Sequence, residues 1–242
     1  MSHGKRVLIT GASGDIGAAI ARCLAAQNWQ VILHANRNSG RIEALADAVR
    51  ADGGTAELTC FDVTDADATT SALEALLADT PIDAVVSNAG IHDDAPMAGM
   101  SHEQWRRVID VSLHGFFNVT QPLLLPMARQ RFGRIVAIGS VAGVLGNRGQ
   151  SNYAAAKAAL GGAVKSLARE MGSRGITANV VAPGVIAGAM TEELFDPAQI
   201  KAIVPVARSG KPEEVAALVA FLCSDLAGYI NGQVIGVNGG MG

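Results

Sequence analysis

Short runs of aliphatic and β-branched residues alternate with longer helix-patterned segments along this chain, and that alternation leaves few folds open. The runs Arg6–Thr10, Gln30–His34, Thr55–Asp62, Ala84–Asn88, Arg134–Ser140, Thr177–Ala182 and Val234–Val237 read as strands. Several are apolar almost without interruption, as strands of a parallel sheet are when both faces are covered. Helical patterns fill 16–28, 40–52, 66–79, 101–131, 152–172 and 212–224. Ser101 and Gln104 have capping-box spacing at the start of the fourth, and Pro212 suits the first turn of the last. Pro122 and Pro126 are expected to bend or break the fourth helix near its end. Strand and helix alternating in this way predict right-handed crossovers and a doubly wound parallel α/β sheet of about seven strands with helices on both faces.

No repeat, low-complexity tract or linker interrupts the pattern, so residues 1–242 read as a single domain. A hydrophobic content of 49% supplies a core, and 17% charged residues is too few for a disordered chain. The net charge of −3 provides no basic field, which argues against nucleic acid as a partner. An anionic ligand must then be held by local groups such as helix N-termini or single arginines. Cys23, Cys60 and Cys223 lie far apart in apolar contexts with no zinc-type or redox spacing. They read as core thiols of a reducing compartment, and no metal site is expected. The first apolar run begins almost at the N-terminus, leaving no room for a signal peptide, and no stretch is suited to span a bilayer; a cytoplasmic protein is expected.

The loop Thr10-Gly11-Ala12-Ser13-Gly14-Asp15-Ile16-Gly17 joins the first strand to the first helix. Glycines there let backbone approach a pyrophosphate, and the free N–H groups of the helix start favour its charge. Gly11, Ser13, Gly14, Asp15, Ile16 and Gly17 are therefore candidate cofactor-binding residues of a nicotinamide dinucleotide. The second strand ends in Leu33-His34-Ala35-Asn36-Arg37-Asn38, with no carboxylate to bond a ribose 2′-hydroxyl. Arg37 can instead bind a 2′-phosphate, so NADPH is expected in preference to NADH. Asp62 and Val63 are placed to flank the adenine, and Ser87-Asn88-Ala89-Gly90 to lie under the cofactor at the carboxyl edge of the sheet.

Tyr153 and Lys157 stand four apart on one helix face, and Ser140 ends the fifth predicted strand thirteen residues earlier. Reducing a ketone needs a proton donor beside the carbonyl oxygen and a hydride donor beside its carbon. A free tyrosine titrates near pH 10, and a nearby ammonium is expected to bring Tyr153 toward the working range. Ser140 can hold the carbonyl oxygen as it gains negative charge.

These motifs, with Ile138-Gly139-Ser140, Gly146-Asn147-Arg148-Gly149-Gln150, Ala182-Pro183-Gly184 and Val237-Asn238-Gly239-Gly240, resemble the short-chain dehydrogenase/reductases over essentially the whole chain. Within them the chain is most similar to the 3-oxoacyl-[acyl-carrier-protein] reductases of bacterial fatty acid synthesis. Gly146–Gln150 and the Met241 ending look closest to a branch linked to aryl polyene pigments. The resemblance implies a Rossmann-like fold with a cofactor half at about 1–140 and a catalytic and substrate half at about 141–242. It implies that Tyr153 is the general acid, that Lys157 binds the nicotinamide ribose and lowers the Tyr153 pKa, and that Ser140 orients the substrate. Pro183, Gly184 and the Ile186 backbone would also meet the cofactor. Arg131 and Arg174 match positions that dock the acidic acyl carrier protein. A homotetramer is implied, built on 101–131, 152–172 and the C-terminal segment.

Three departures stand out. Asp15 replaces a glycine, and Gly14 stands where NADP-dependent relatives often carry a second arginine. A carboxylate at 15 could cap the helix but would repel a nearby phosphate. Ser112 replaces an asparagine that anchors a water in the proton relay, and Gly188 replaces a threonine that bonds the carboxamide. The segment from Val185 to Arg208 reads as a substrate-covering lid, and His92 as a loop residue near the substrate. Alternatives are a dehydrogenase of a small alcohol, sugar or xenobiotic ketone, and a weakly catalytic partner subunit in a mixed assembly.

Overall fold

β1 (Arg6–Ile9) is covered on both faces: Val7 and Ile9 point into one apolar layer and Leu8 into the other, all fully buried. This alternation is repeated across β2 (Gln30–Ala35), β4 (Ala84–Ser87), β5 (Gly133–Ile138) and β6 (Ile176–Pro183), while the edge strands β3 (Thr55–Cys60) and β7 (Val234–Val237) are only partly buried. The computed structural model describes residues 4–37, 39–78, 80–188 and 196–242. The seven strands form one sheet in the order β3-β2-β1-β4-β5-β6-β7. Every neighbouring pair is parallel. Order reverses between β1 and β4, which opens a crevice at their carboxyl ends.

One face is covered by α1 (Asp15–Ala25), α2 (Ser39–Ala51) and α9 (Pro212–Cys223), which bury Ile20, Leu24, Ile42 and Val219. The other is covered by α3 (Ala66–Leu77), α5 (Gly115–Gln130) and α7 (Ser151–Met171), through Leu73, Leu123, Met127 and Leu160. The short helices α6 (Ala142–Leu145) and α8 (Pro197–Ile203) lie in loops of the carboxyl edge.

The fourth predicted helix, 101–131, is where sequence and structure part. It is α4 (His102–Ile109), one π-turn over Asp110–His114, then α5. The Ser101–Gln104 capping box forms, with reciprocal bonds of 3.1 and 3.0 Å. Pro122 and Pro126 do not break α5, because Val119, Leu123 and Met127 bury one continuous stripe that holds the helix to the sheet. The irregularity falls at the π-turn instead. Strand ends move by a residue or two: Thr10, Asn88, Gly139 and Ser140 lie just beyond their strands, in the loops that line the crevice. Of the cysteines only Cys223 is a core thiol. Cys60 is exposed because β3 is an edge strand, and Cys23 is half-buried. Residue 79 of the third predicted helix and 189–195 of the expected lid lie outside the described residues. Among the described residues no helix is long and apolar enough to cross a membrane.

Candidate active site

The β1–α1 loop is shaped by bonds that leave its helix end open. Gly11, at φ +63°, is held through its carbonyl by the Asn88 amide at 2.9 Å and through its N–H by His34 Nδ1 at 3.3 Å. Thr10 Oγ1 accepts from the N–H groups of both Asn88 and Ala89 at 3.0 Å, which locks β1 to the end of β4. A Cβ on Gly17 would lie 2.5 Å from the Gly11 carbonyl and 2.8 Å from the Asn88 amide. The first-turn N–H groups of α1 point past this cradle with no carbonyl of their own helix to bond. Backbone donors, positive dipole and a space that a side chain would fill suit a pyrophosphate.

The departures noted in the sequence meet here. Gly14 is the residue before α1, and Asp15 lies within the first turn and makes no capping bond, so the expected cap is not found. Its carboxylate lies against Gly188, beyond β6, in the space that a Cβ at 188 would need. Two distant substitutions are thus one local feature.

Just beyond β3, Asp62 accepts from the N–H and hydroxyl of Thr64 at 2.9 and 2.8 Å. Those bonds first, with help from Arg37 and Asn36, hold its carboxyl below the usual range. Arg37 is exposed beside it. Val63 is buried, and its carbonyl accepts from Asn118 at 2.9 Å.

Tyr153, Lys157, Ser140 and Ser112 converge at the carboxyl edge. Lys157 is 5% exposed; its ammonium donates to the Ile138 carbonyl at 2.9 Å and sits 5.6 Å from the Tyr153 ring centre. Burial lowers its pKa to about 8. Tyr153 shares a hydrogen bond with Ser140, whose oxygen also accepts from the Ala142 N–H at 3.1 Å. The expected depression of Tyr153 by Lys157 is not seen. Burial pushes the phenol up, the Ser140 bond works against that, and the Asp94 carboxylate raises it further. The Lys157 ammonium hydrogen-bonds the Ile138 carbonyl rather than the phenol.

Ser112 lies in the π-turn, 2% exposed, and its hydroxyl has no hydrogen-bond partner among the described residues. A Cβ on Gly90 would stand 3.0 Å from the Lys157 ammonium and 3.6 Å from the Ser112 oxygen, so the bare glycine keeps the gap between them open. Ser112 Oγ is a polar atom aimed into a kept space, and a π-turn often marks a functional position.

Pro183 ends β6, and the Gly184 N–H donates to Val237 at 3.0 Å. Ile186 pairs in a bridge with Gly210. The far end of the expected lid is tied down by Arg208, bidentate to Glu214 at 2.8 and 2.7 Å. His92 is partly exposed, 3.7 Å from Asp94. Arg131 and Arg174 do come together: with Arg129, Leu125 and Ala128 they line a surface groove of about 400 Å³. His34 and Asp94 were not singled out by the sequence. The available signal was a histidine inside an apolar central strand, which must find partners once buried.

Residues 11–242 match the family model described as enoyl-(acyl carrier protein) reductase. The chain is 47% identical to the 3-oxoacyl-[acyl-carrier-protein] reductase of Escherichia coli (strain K12), over 99% of this chain and 98% of that protein. It is 43% identical to the reductase of the same description from Synechocystis sp., over 97% and 95% of the two chains. A crystal structure of a putative gluconate dehydrogenase from Agrobacterium tumefaciens superposes with a TM-score of 0.95 at 32% identity, covering 98% of this chain and 96% of that one.

Proposed function

The chain belongs to the short-chain dehydrogenase/reductase family, and we propose that it reduces the 3-oxo group of an acyl thioester on acyl carrier protein, with NADPH as cofactor and Tyr153 as general acid. The observation that carries the reading is the convergence of Ser140, Tyr153 and buried Lys157 beside a glycine cradle built for a dinucleotide. It is joined to near-full-length identity with 3-oxoacyl-[acyl-carrier-protein] reductases.

The dinucleotide, when bound, supplies the hydride. The Ser140 oxygen accepts from Ala142, and its O–H, which meets the Tyr153 phenol, can turn to hold the substrate oxygen as charge develops there. Tyr153 gives that oxygen a proton. Lys157, at a pKa of about 8, parts with a proton far more readily than a surface lysine and can restore it. Ser112, unpartnered across the Gly90 gap, carries the relay onward through a bound water in place of a longer amide. Arg37 takes the 2′-phosphate, Asp62 and Val63 flank the adenine, and the loop and first turn from Ser13 to Gly17 take the pyrophosphate. Asn88 acts through Gly11, whose carbonyl it holds, while Ala89, Gly90, Pro183, Gly184 and Ile186 border the cofactor by backbone.

The groove of Arg129, Arg131 and Arg174 has an apolar floor and three cations, which suits an acidic carrier protein. Exposed Phe117 on α5, with Leu226 and Tyr229 near the C-terminus, supports a homotetramer that covers them. Three free cysteines favour a reducing, cytoplasmic setting.

The test is a coupled assay of NADPH and NADH against carrier-bound and free 3-oxoacyl substrates. NADPH and the carrier-bound thioester should be strongly preferred. Turnover of free ketones or sugar acids that a carrier does not improve would favour instead a small-substrate dehydrogenase, as the gluconate dehydrogenase likeness suggests.

A further inference from the structure

His34 is 1% exposed near the end of β2, and both ring nitrogens are engaged. The Gly11 N–H donates to Nδ1 at 3.3 Å, and Nε2 lies 2.9 Å from the Phe61 carbonyl. A backbone N–H can only donate and a carbonyl can only accept, so the ring must carry its proton on Nε2 and keep Nδ1 bare. Its own carbonyl accepts from the Ala12 N–H at 2.9 Å, and its ring packs on Phe61 at 4.2 Å between centres. One side chain therefore ties the first glycine of the β1–α1 loop to the chain just before Asp62, the two walls of the dinucleotide crevice.

We propose that His34 is a proton-sensitive positioning residue for the dinucleotide: its neutral Nε2–H form holds Gly11 in place, and protonation releases Gly11 and weakens cofactor binding. A second proton would sit on Nδ1 and face the Gly11 N–H, donor against donor. Gly11 would then have to move, and its carbonyl is the atom that Asn88 and Gly14 grip and against which Gly17 is packed. The charged group bearing on the ring from the end of β3 is Asp62, which favours the cation, and Arg37 from the end of β2 faces Asp62 in turn. From the β1–α1 loop it meets the Gly11 N–H. Burial outweighs both the Phe61 carbonyl and Asp62, which favour the cation, and keeps the ring neutral at neutral pH.

The inference rests on the dinucleotide reading of this loop. Its test is NADP⁺ affinity, by intrinsic fluorescence, for wild type, His34→Asn and His34→Leu between about pH 7.5 and pH 5. Asparagine keeps an acceptor that does not titrate, whereas leucine keeps none. Relative to His34→Asn, whose ligand 2′-phosphate titrates identically, wild-type Kd should rise as pH falls through that range, with a ceiling of about tenfold per pH unit for one displaced proton. His34→Leu should bind weakly throughout, and its loss should appear in the KM for NADPH rather than in kcat. Nitrogen NMR of the wild-type imidazole, which needs no variant to fold, should show Nε2 protonated and Nδ1 bare. Parallel profiles for wild type and His34→Asn, or an Nδ1–H tautomer, would overturn the proposal. Failure of every protein to bind NADP⁺ at any pH would overturn the dinucleotide reading and this inference with it.

Discussion

Gly17→Ala puts one methyl group where the structure has no room. The added carbon would stand 2.5 Å from the Gly11 carbonyl, 2.8 Å from the Asn88 amide and 2.9 Å from Ala12 Cα. Two of these three neighbours are backbone, so relief requires moving the loop or giving up the 2.9 Å Asn88–Gly11 bond. Overpacking of this kind costs about 1–3 kcal/mol. Taken wholly from binding, that is about a 5- to 150-fold rise in Kd. Taken wholly from folding, it lowers Tm by about 2–4 °C per kcal/mol for a chain of this size. Gly14→Ala is the control, because its Cβ first meets the Gly11 carbonyl at an ordinary 3.7 Å. NADPH titration by fluorescence and thermal unfolding, on both variants, separate the two costs. A Gly17→Ala protein that binds and melts like wild type would refute the cradle, as would a Gly14→Ala protein that is equally destabilised to heat.

Tyr153→Phe should leave NADPH affinity near wild type while turnover nearly disappears; unchanged turnover in the carrier-thioester assay would remove Tyr153 from the chemistry. Arg37→Ala should raise the KM for NADPH by about tenfold to a hundredfold, the range for a lost charge-assisted bond, and leave that for NADH nearly unchanged. Gly188→Thr should weaken NADPH binding because Asp15 fills its space, and adding Asp15→Gly should restore it. Since only the tip of one side chain must move, the coupling in that cycle is expected near the low end, about 0.5 kcal/mol. His34, whose pKa is lowered in the fold, takes up a proton more readily once unfolded, so its contribution to stability is complete above about pH 6.5 and is lost as pH falls toward the folded value. Urea unfolding at stepped pH should show that slope in wild type and a flatter one in His34→Asn.

Much of this architecture was legible in the chain because it rests on local periodicity. Apolar runs such as Val31–Ala35, each followed by a helical pattern, dictate parallel strands covered on two faces, while the strand order was decided by the tertiary structure. The Tyr153–Lys157 spacing and the glycine loop were visible for the same reason: four residues on a helix and a turn before one are short-range facts. Pro122 and Pro126 did not break the helix, since helix propensity is a weak term beside the buried stripe of Val119, Leu123 and Met127.

What the sequence determined alone is the order of elements and which residue types stand at the sheet's carboxyl edge. Tertiary structure decided what those residues touch. It set Asp15 against Gly188, turned the Lys157 ammonium to Ile138, brought Asp94 to bear on Tyr153 and gave His34 to Gly11. Each joins positions 19 or more residues apart. Pattern along a chain registers periods of two and 3.6 residues, whereas these contacts arise only when separate elements pack and a buried polar atom must bond whatever the fold places within reach.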